Sequence, residues 1–424
     1  MRVLYSAVFF FLIPFILLRL LWRSVKAPDY RKRWGERFGC YNNKPQSGVI
    51  WFHAVSVGEA EAVFPLIKRF QQNRPELPIL VTTTTPTGSA RVQAVLQNTV
   101  QHVYLPYDIP WIVKRFLTSF KPRVAVIMET ELWPNLFHHC GINQIPLYVV
   151  NARLSEKSAK GYRKLPALIH PLLSHISHIA AQSEDDANRF IAIGARPDQV
   201  SVCGNIKFDL DIPGSVINAG KELKASDFKG RFVWLCASTH HGEEQILLDA
   251  YKALKQNIPE LMLVIAPRHP ERFADVESLC KIGKLTVITR TSTQPCAPET
   301  DVYLADTMGE LKMLYAACDV AFVGGSLVPI GGHNILEAMA ADAPVLFGEH
   351  MANFKEIASK ALQNNAAIQC RDQGAITQAI TNVYLQNETR MSLINNGKSV
   401  LAQNRGAIDK LYKLLMTAID RQAK

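Results

Sequence analysis

Residues 320–348 read VAFVGGSLVPIGGHNILEAMAADAPVLFG, and this stretch decides the fold. Val320 to Val323 form an apolar run suited to a buried strand. Gly324 and Gly325 follow it, and Gly331 and Gly332 stand just before a helix-forming run from Asn334 to Ala341. The order is strand, glycine-rich turn, helix start. Unpaired amides at a helix start bind anions, and glycines let a phosphate come close. An ordinary βα turn carries the same glycines. Two residues point beyond it: Asn334 stands where a capping donor would be, and Glu337, one turn on, can accept bonds from the two hydroxyls of a ribose. The stretch lacks the Lys-Ser/Thr ending of a P-loop and the G-x-G-x-x-G of a dehydrogenase turn, so it reads as a nucleotide-sugar site rather than an ATP or NAD site.

Moving upstream, apolar runs alternate with amphipathic ones: RFVWLCAS, a helix over 243–255, LMLVIA, a helix over 271–280, LTVIT, VYLA and a helix over 309–317. This spacing predicts parallel strands covered by helices, a Rossmann-like unit whose ligands collect beyond the carboxyl ends of the strands. Ser238, Thr239, His240 and His241 fall at that edge, as do Pro267, Arg268 and His269, and Met308, Gly309 and Glu310. Arg268 can pair with a phosphate, and the amides of 309 and 310 with a base or phosphate oxygen. Residues 204–229 hold few apolar side chains and read as a crossover, with Lys207 before it able to reach a cleft from the hinge.

The first half repeats the alternation: VIWFHA, PILVTTTT, HVYLPY, RVAVIM, PLYVVNA and HIAAQS each lead into a helical pattern, which predicts a second doubly wound domain. Glu59 follows the first run at a likely helix start. It can act as general base on an acceptor hydroxyl or merely favour the helix dipole, and spacing alone favours the dipole. Thr82 to Gly88 make a hydroxyl-rich turn that suits a ligand or a plain cap. Glu129 and Glu131, followed by Trp133 and Pro134 directly after a buried strand, are hard to explain by packing and read as part of a site. The helix over 111–120 reads as core packing before lipid contact. His138, His139 and Cys140 diverge around their helix, which disfavours a metal, and Asp209-Leu210-Asp211 reads as linker.

The chain has 424 residues, nearly half of them apolar, and a net charge of +10 that favours an anionic partner. Its eight cysteines are scattered without a C-x-x-C pair, as reduced thiols would be. Val3 to Leu18 are uncharged and almost all apolar, and Arg23, Lys26, Arg31, Lys32, Arg33 and Arg37 follow. A retained membrane anchor is expected, spanning or lying in one leaflet, with the basic residues and the bulk of the chain in the cytoplasm. A buried helix of the first domain is the other reading.

Taken together, RKRWGERFG, SVGE, TTTTPTGSARV, METELWPN, NARLSEKSAKGY, GNIKFD, PRHPERF, DTMGELKMLY and VGGSLVPIGGHNILEA run collinearly along the whole chain. In them the sequence resembles the 3-deoxy-D-manno-octulosonic acid (Kdo) transferases of lipopolysaccharide biosynthesis, membrane-anchored glycosyltransferases of the GT-B fold. The resemblance implies an α/β protein with two Rossmann-like domains facing a cleft: an anchor over 1–22, an acceptor domain over 23–205, a crossover over 206–229 and a donor domain over 230–424, whose last helix can pack back on the first. It implies CMP-Kdo as donor, lipid IVA as acceptor, inner-membrane phospholipid as surroundings and neither cofactor, metal nor nucleic acid. Glu59 would be the general base, Glu129 and Lys207 the transition-state stabilisers, and Pro267, Arg268, Met308, Gly309, Glu310, Asn334, Ile335, Leu336 and Glu337 the CMP contacts. A sugar-nucleotide epimerase of the same architecture and a non-catalytic nucleotide-sugar-binding membrane protein are the alternatives.

Overall fold

Consecutive apolar residues, rather than alternating ones, mark a strand buried on both faces, and the structure shows where the two faces go. In the computed structural model, which describes residues 1–41 and 44–422, Trp51 enters one hydrophobic cluster while its neighbours Ile50 and Phe52 enter another on the opposite side of the same sheet. That sheet holds β1 (Ile50–His53), β2 (Ile79–Thr83), β3 (Gln101–Tyr104), β4 (Val124–Met128), β5 (Leu147–Ala152), β6 (His178–Ala181) and β7 (Val200–Val202), in the order β3-β2-β1-β4-β5-β6-β7. A second sheet holds β8 (Phe232–Thr239), β9 (Leu261–Pro267), β10 (Val287–Thr289), β11 (Val302–Leu304), β12 (Val320–Val323), β13 (Val345–Phe347) and β14 (Ala367–Gln369), in the order β10-β11-β9-β8-β12-β13-β14. The pairings described in both sheets are parallel, as helical crossovers require.

The chain divides into two compact units, Met1–Asp209 with Arg405–Lys424, and Leu210–Asn404. In the first, the helix Pro110–Phe120 packs Val113, Phe116 and Phe120 into the core, while Trp111 stays exposed. The last helix, Ala407–Gln422, belongs to this unit: Leu411, Leu415 and Ile419 close the core face that holds Phe52. Asp209 fastens it, accepting bonds from the backbone of Gly406 and Ile408, so the first acid of the D-x-D sequence caps a helix. Residues read as a bare crossover contain the helix Gly214–Ser226, which packs in the second unit against the helix Leu311–Ala317. Gly220 allows that approach, since a Cβ there would stand 2.4 Å from the carbonyl oxygen of Met313.

The amino-terminal helix Arg2–Lys26 has two faces. Ser6 donates to Asn135 Oδ1 at 3.0 Å, Phe9 meets Tyr107, and Ser24 accepts from Arg31, so one side is fastened to the first unit near both ends. Leu4, Val8, Phe11, Phe15, Leu18, Trp22 and Val25 recur every three or four residues on the other side and are all exposed. This stretch has a mean hydropathy of 2.3 and is long and apolar enough to cross a membrane. Two of the basic residues expected to mark the cytoplasmic flank have structural work instead. Arg37 is buried, donating to the Thr84 carbonyl and lying over the Tyr104 ring, and Arg33 pairs with Glu36.

Candidate active site

In the first unit, Ser56 caps the helix Val57–Asn73 by accepting from the Glu59 amide, and Glu59 returns the favour. Its carboxylate accepts from the backbone of Val55 at 2.8 Å and from Ser56 Oγ at 3.2 Å, a reciprocal cap that reaches one residue further back than a capping box does. The dipole role and a chemical role therefore coexist in one side chain. Burial, with Glu129 and Glu131 nearby, pushes its pKa up to about 7 despite those bonds. Burial raises Glu131 as well.

Glu129 follows β4, the hydrogen-bonded neighbour of β1, so adjacent strands deliver both acids to one edge. It adopts φ +56°, a left-handed conformation that costs a non-glycine residue on the order of 1 kcal/mol. Trp133 and Pro134, by contrast, have a packing explanation that the sequence did not reveal: Trp133 packs against the core, and Pro134 opens the helix Pro134–Ile142. Lys207 lies in the turn Ile206–Phe208, which packs against the Glu59 helix. Asn151 Oδ1 holds the Ile206 amide at 3.1 Å, and Asn205 reaches Gln182 at 2.9 Å. Thus the ends of β1, β4, β5 and β6 all contribute to placing Glu59, Glu129 and Lys207.

In the second unit, a cavity of about 230 Å³ lies beyond the ends of β8, β9 and β12. Pro267, Arg268, Met308, Gly309, Asn334 and Glu337 line it, together with Ser238 and His333. A hollow of about 610 Å³ adjoins it, sharing Thr307 and Met308, and Glu310 lines this one. Burial pushes the Glu310 carboxyl up, but its bonds from Arg290 and Thr307 outweigh that and leave it below the usual range. Ile335 and Leu336 are fully buried and do not line the cavity. The helix here is shorter than expected, Leu336–Ala340, because Asn334 turns its Oδ1 onto the Leu336 amide and ends the loop there.

The glycines after β12 do something other than admit a phosphate. Glu243, fully buried at the start of the helix Glu243–Lys255, accepts from the amides of Gly325, Ser326, Leu327 and His240 at 2.7 to 3.0 Å. The anion in that nest is the protein's own carboxylate. Gly324 is required by this packing, since a Cβ would lie 2.9 Å from Glu243 Oε2 and 2.6 Å from the Ser238 carbonyl oxygen. Ser238 itself is a bulge at the end of β8 with φ +55°, matching the bulge at Asn151 (φ +50°) on β5. Glu243 escaped the sequence reading because an acid in a first turn is unremarkable. The signal was the apposition of Gly-Glu-Glu after β8 with Gly-Gly after β12, the next strand in the sheet.

Comparisons with known proteins agree with this architecture. Residues 32–210 match the family described as 3-deoxy-D-manno-octulosonic-acid transferase (kdotransferase), and residues 240–400 match glycosyl transferases group 1. The 3-deoxy-D-manno-octulosonic acid transferase of Haemophilus influenzae is 40% identical over 423 residues, covering 99% of each chain. Among solved structures, a glycosyltransferase from Rickettsia africae aligns with a TM-score of 0.58 at 12% identity, over 89% of this chain and 99% of its own. The UDP-GlcNAc 2-epimerase of Neisseria meningitidis aligns at 0.57 and 15%, over 87% and 99%. Transferase and epimerase share this fold, so the fold does not choose between them, whereas the sequence relationship does.

Proposed function

The chain belongs to the 3-deoxy-D-manno-octulosonic acid (Kdo) transferase family, and from that membership we propose that it transfers Kdo, with inversion, from CMP-Kdo to a hydroxyl of the lipid A precursor lipid IVA. The observation that carries the reading is the Glu59 carboxyl, raised to about 7 at the end of β1 beside Glu129 and Glu131. A general base works best when its pKa lies near the working pH. Glu59 takes the proton of the acceptor hydroxyl as its oxygen bonds to the anomeric carbon. The bond from that carbon to the phosphate oxygen breaks, and CMP leaves with the electron pair. Glu129 and Lys207 serve as stabilisers of the charge that develops, without a metal.

The second unit holds the donor. Arg268 answers the phosphate, Glu337 the ribose hydroxyls, and the backbone of Met308 to Glu310 the base. Lys312 stands 4.0 Å from the Glu337 carboxylate, a cation at its side. Membership of the family and the exposed apolar face of the Arg2–Lys26 helix support a site on the cytoplasmic face of the inner membrane, where a phosphorylated lipid acceptor resides.

Incubating the purified protein with CMP-Kdo and lipid IVA tests this. The expected result is a lipid product heavier by whole Kdo residues, with one CMP released for each. Epimerised nucleotide sugar and unchanged lipid would overturn the reading.

A further inference from the structure

His240 directly follows β8 and His333 lies in the loop after β12, and their Nε2 atoms lie 2.8 Å apart. The ring planes differ by 7° with centroids 5.1 Å apart. At that nitrogen separation the rings meet edge to edge in one plane, a linear N–H···N bond rather than a face-to-face stack. We propose that His240 and His333 are a proton-sharing pair that takes up one proton, and so becomes a cation, as an anionic group of the nucleotide-sugar donor enters the Arg268 pocket. The inference rests on the donor reading above and assigns the pair as positioning residues.

An imidazole pair bonded through Nε2 needs one lone pair between the rings. Whichever ring donates, its own Nδ1 is then a bare acceptor, unsuited to an anion. A proton from solvent on that Nδ1 makes the donating ring an imidazolium, leaves the shared bond intact, and gives both rings an Nδ1–H. The charged pair thus carries one positive charge, and its two Nδ1–H groups point outward from the shared bond, away from each other.

The surroundings keep it empty until a ligand arrives. Arg268, Arg272 and His269 face His240 from the β9 end, the His269 ring 5.3 Å away, and among the described residues the carboxylate acting on it is Glu243, whose oxygens are already committed to four amides. Burial, then His240, Arg268 and His269, hold His333 down at about 4, and burial lowers His240 too. A phosphate or carboxylate beside Arg268 reverses that balance, since opposite charge at about 4–6 Å favours the protonated form. A Cβ on Gly325 would stand 3.1 Å from the His333 ring and 3.4 Å from the His240 ring, so the absence of a side chain there gives the pair its room beside the loop that Glu243 holds. His333 is next to Asn334, a lining residue of the same cavity.

Isothermal titration of CMP into the full-length protein in detergent, in buffers of differing ionisation enthalpy, reads the proton directly. At about pH 7.5 the second ionisation of the ligand phosphate, near 6, is essentially complete and contributes little. The expected result is uptake of roughly 0.5 to 1 proton per CMP, falling below about 0.2 in His240→Asn and in His333→Asn, with affinity several-fold weaker at pH 7.5 and little changed at pH 9. Uptake with CMP alone assigns the response to the phosphate; uptake only with intact CMP-Kdo assigns it to the sugar carboxylate. CMP and CMP-Kdo binding without uptake, or uptake unchanged in both variants, overturns the proton-sharing pair and leaves the donor reading standing. Absence of binding by either nucleotide overturns both.

Discussion

At the scale of single residues, the account turns on two glutamates whose environments are opposite. Glu59 is a carboxyl held near 7 by burial, so its base form is gained as pH rises through that value. Transfer at saturating substrates should therefore fall about tenfold per unit below pH 7 and level off above it; a rate independent of pH between about 5 and 8 would remove Glu59 from the chemistry. The same shift carries a stability sign. The folded carboxyl keeps its proton above the ordinary glutamate value of 4.5, so the first unit loses stability as pH rises from there to 7, and Glu59→Gln should raise its unfolding midpoint by a few degrees at pH 8. Glu243 is a structural anion. Glu243→Ala leaves four amides without their acceptor and should destabilise the second unit by at least about 3 kcal/mol, with CMP affinity down about tenfold or more, read by thermal unfolding and nucleotide titration. Wild-type unfolding in that variant would contradict the nest. The candidate donor residues were readable as strand-end residues because a parallel sheet puts its ligand edge at predictable sequence positions. Glu243 and the His240–His333 pair were not, because each depends on which strand lies beside which, and β8 with β12 is an adjacency separated by a long stretch of chain.

At the scale of elements, helix and strand order followed from apolar runs, while helix starts and the 204–229 segment did not. Capping by side chains shifts starts: Asn334 delays one helix to Leu336, and Ser56 begins another at Val57. Gly214–Ser226 reads as polar because only a narrow stripe of it is buried, Gly220 and Leu223 among them, against the helix Leu311–Ala317. In the donor role proposed for Met308 to Glu310 that contact acquires a functional side, since these residues lead directly into Leu311–Ala317. Gly220→Ala places a methyl 2.6 Å from Ala316 Cβ and should destabilise the second unit by about 1–3 kcal/mol while weakening CMP binding several-fold. Unchanged CMP affinity in a demonstrably destabilised variant would show that this helix does not position the nucleotide loop.

At the scale of the whole molecule, the amino-terminal helix carries the membrane reading. Its exposed face, with Phe11 and Phe15 at its centre, lies opposite the side fastened to Asn135 and Arg31, which favours a helix lying in one leaflet. Burying each phenylalanine contributes roughly 1.5–3 kcal/mol, so Phe11→Glu with Phe15→Glu should weaken partitioning into anionic vesicles by about a hundredfold or more. CMP binding should stay unchanged, and vesicle binding that survives the double substitution would dismiss the helix as the anchor. The central claim is a division of labour: donor binding belongs to the second unit and proton removal to Glu59 of the first. The most direct test is to measure, on Glu59→Gln, both CMP affinity and single-turnover Kdo transfer from CMP-Kdo to lipid IVA. The account predicts CMP affinity within about twofold of wild type and transfer slower by at least about a thousandfold. Transfer near the wild-type rate, or loss of CMP binding in step with it, would contradict it.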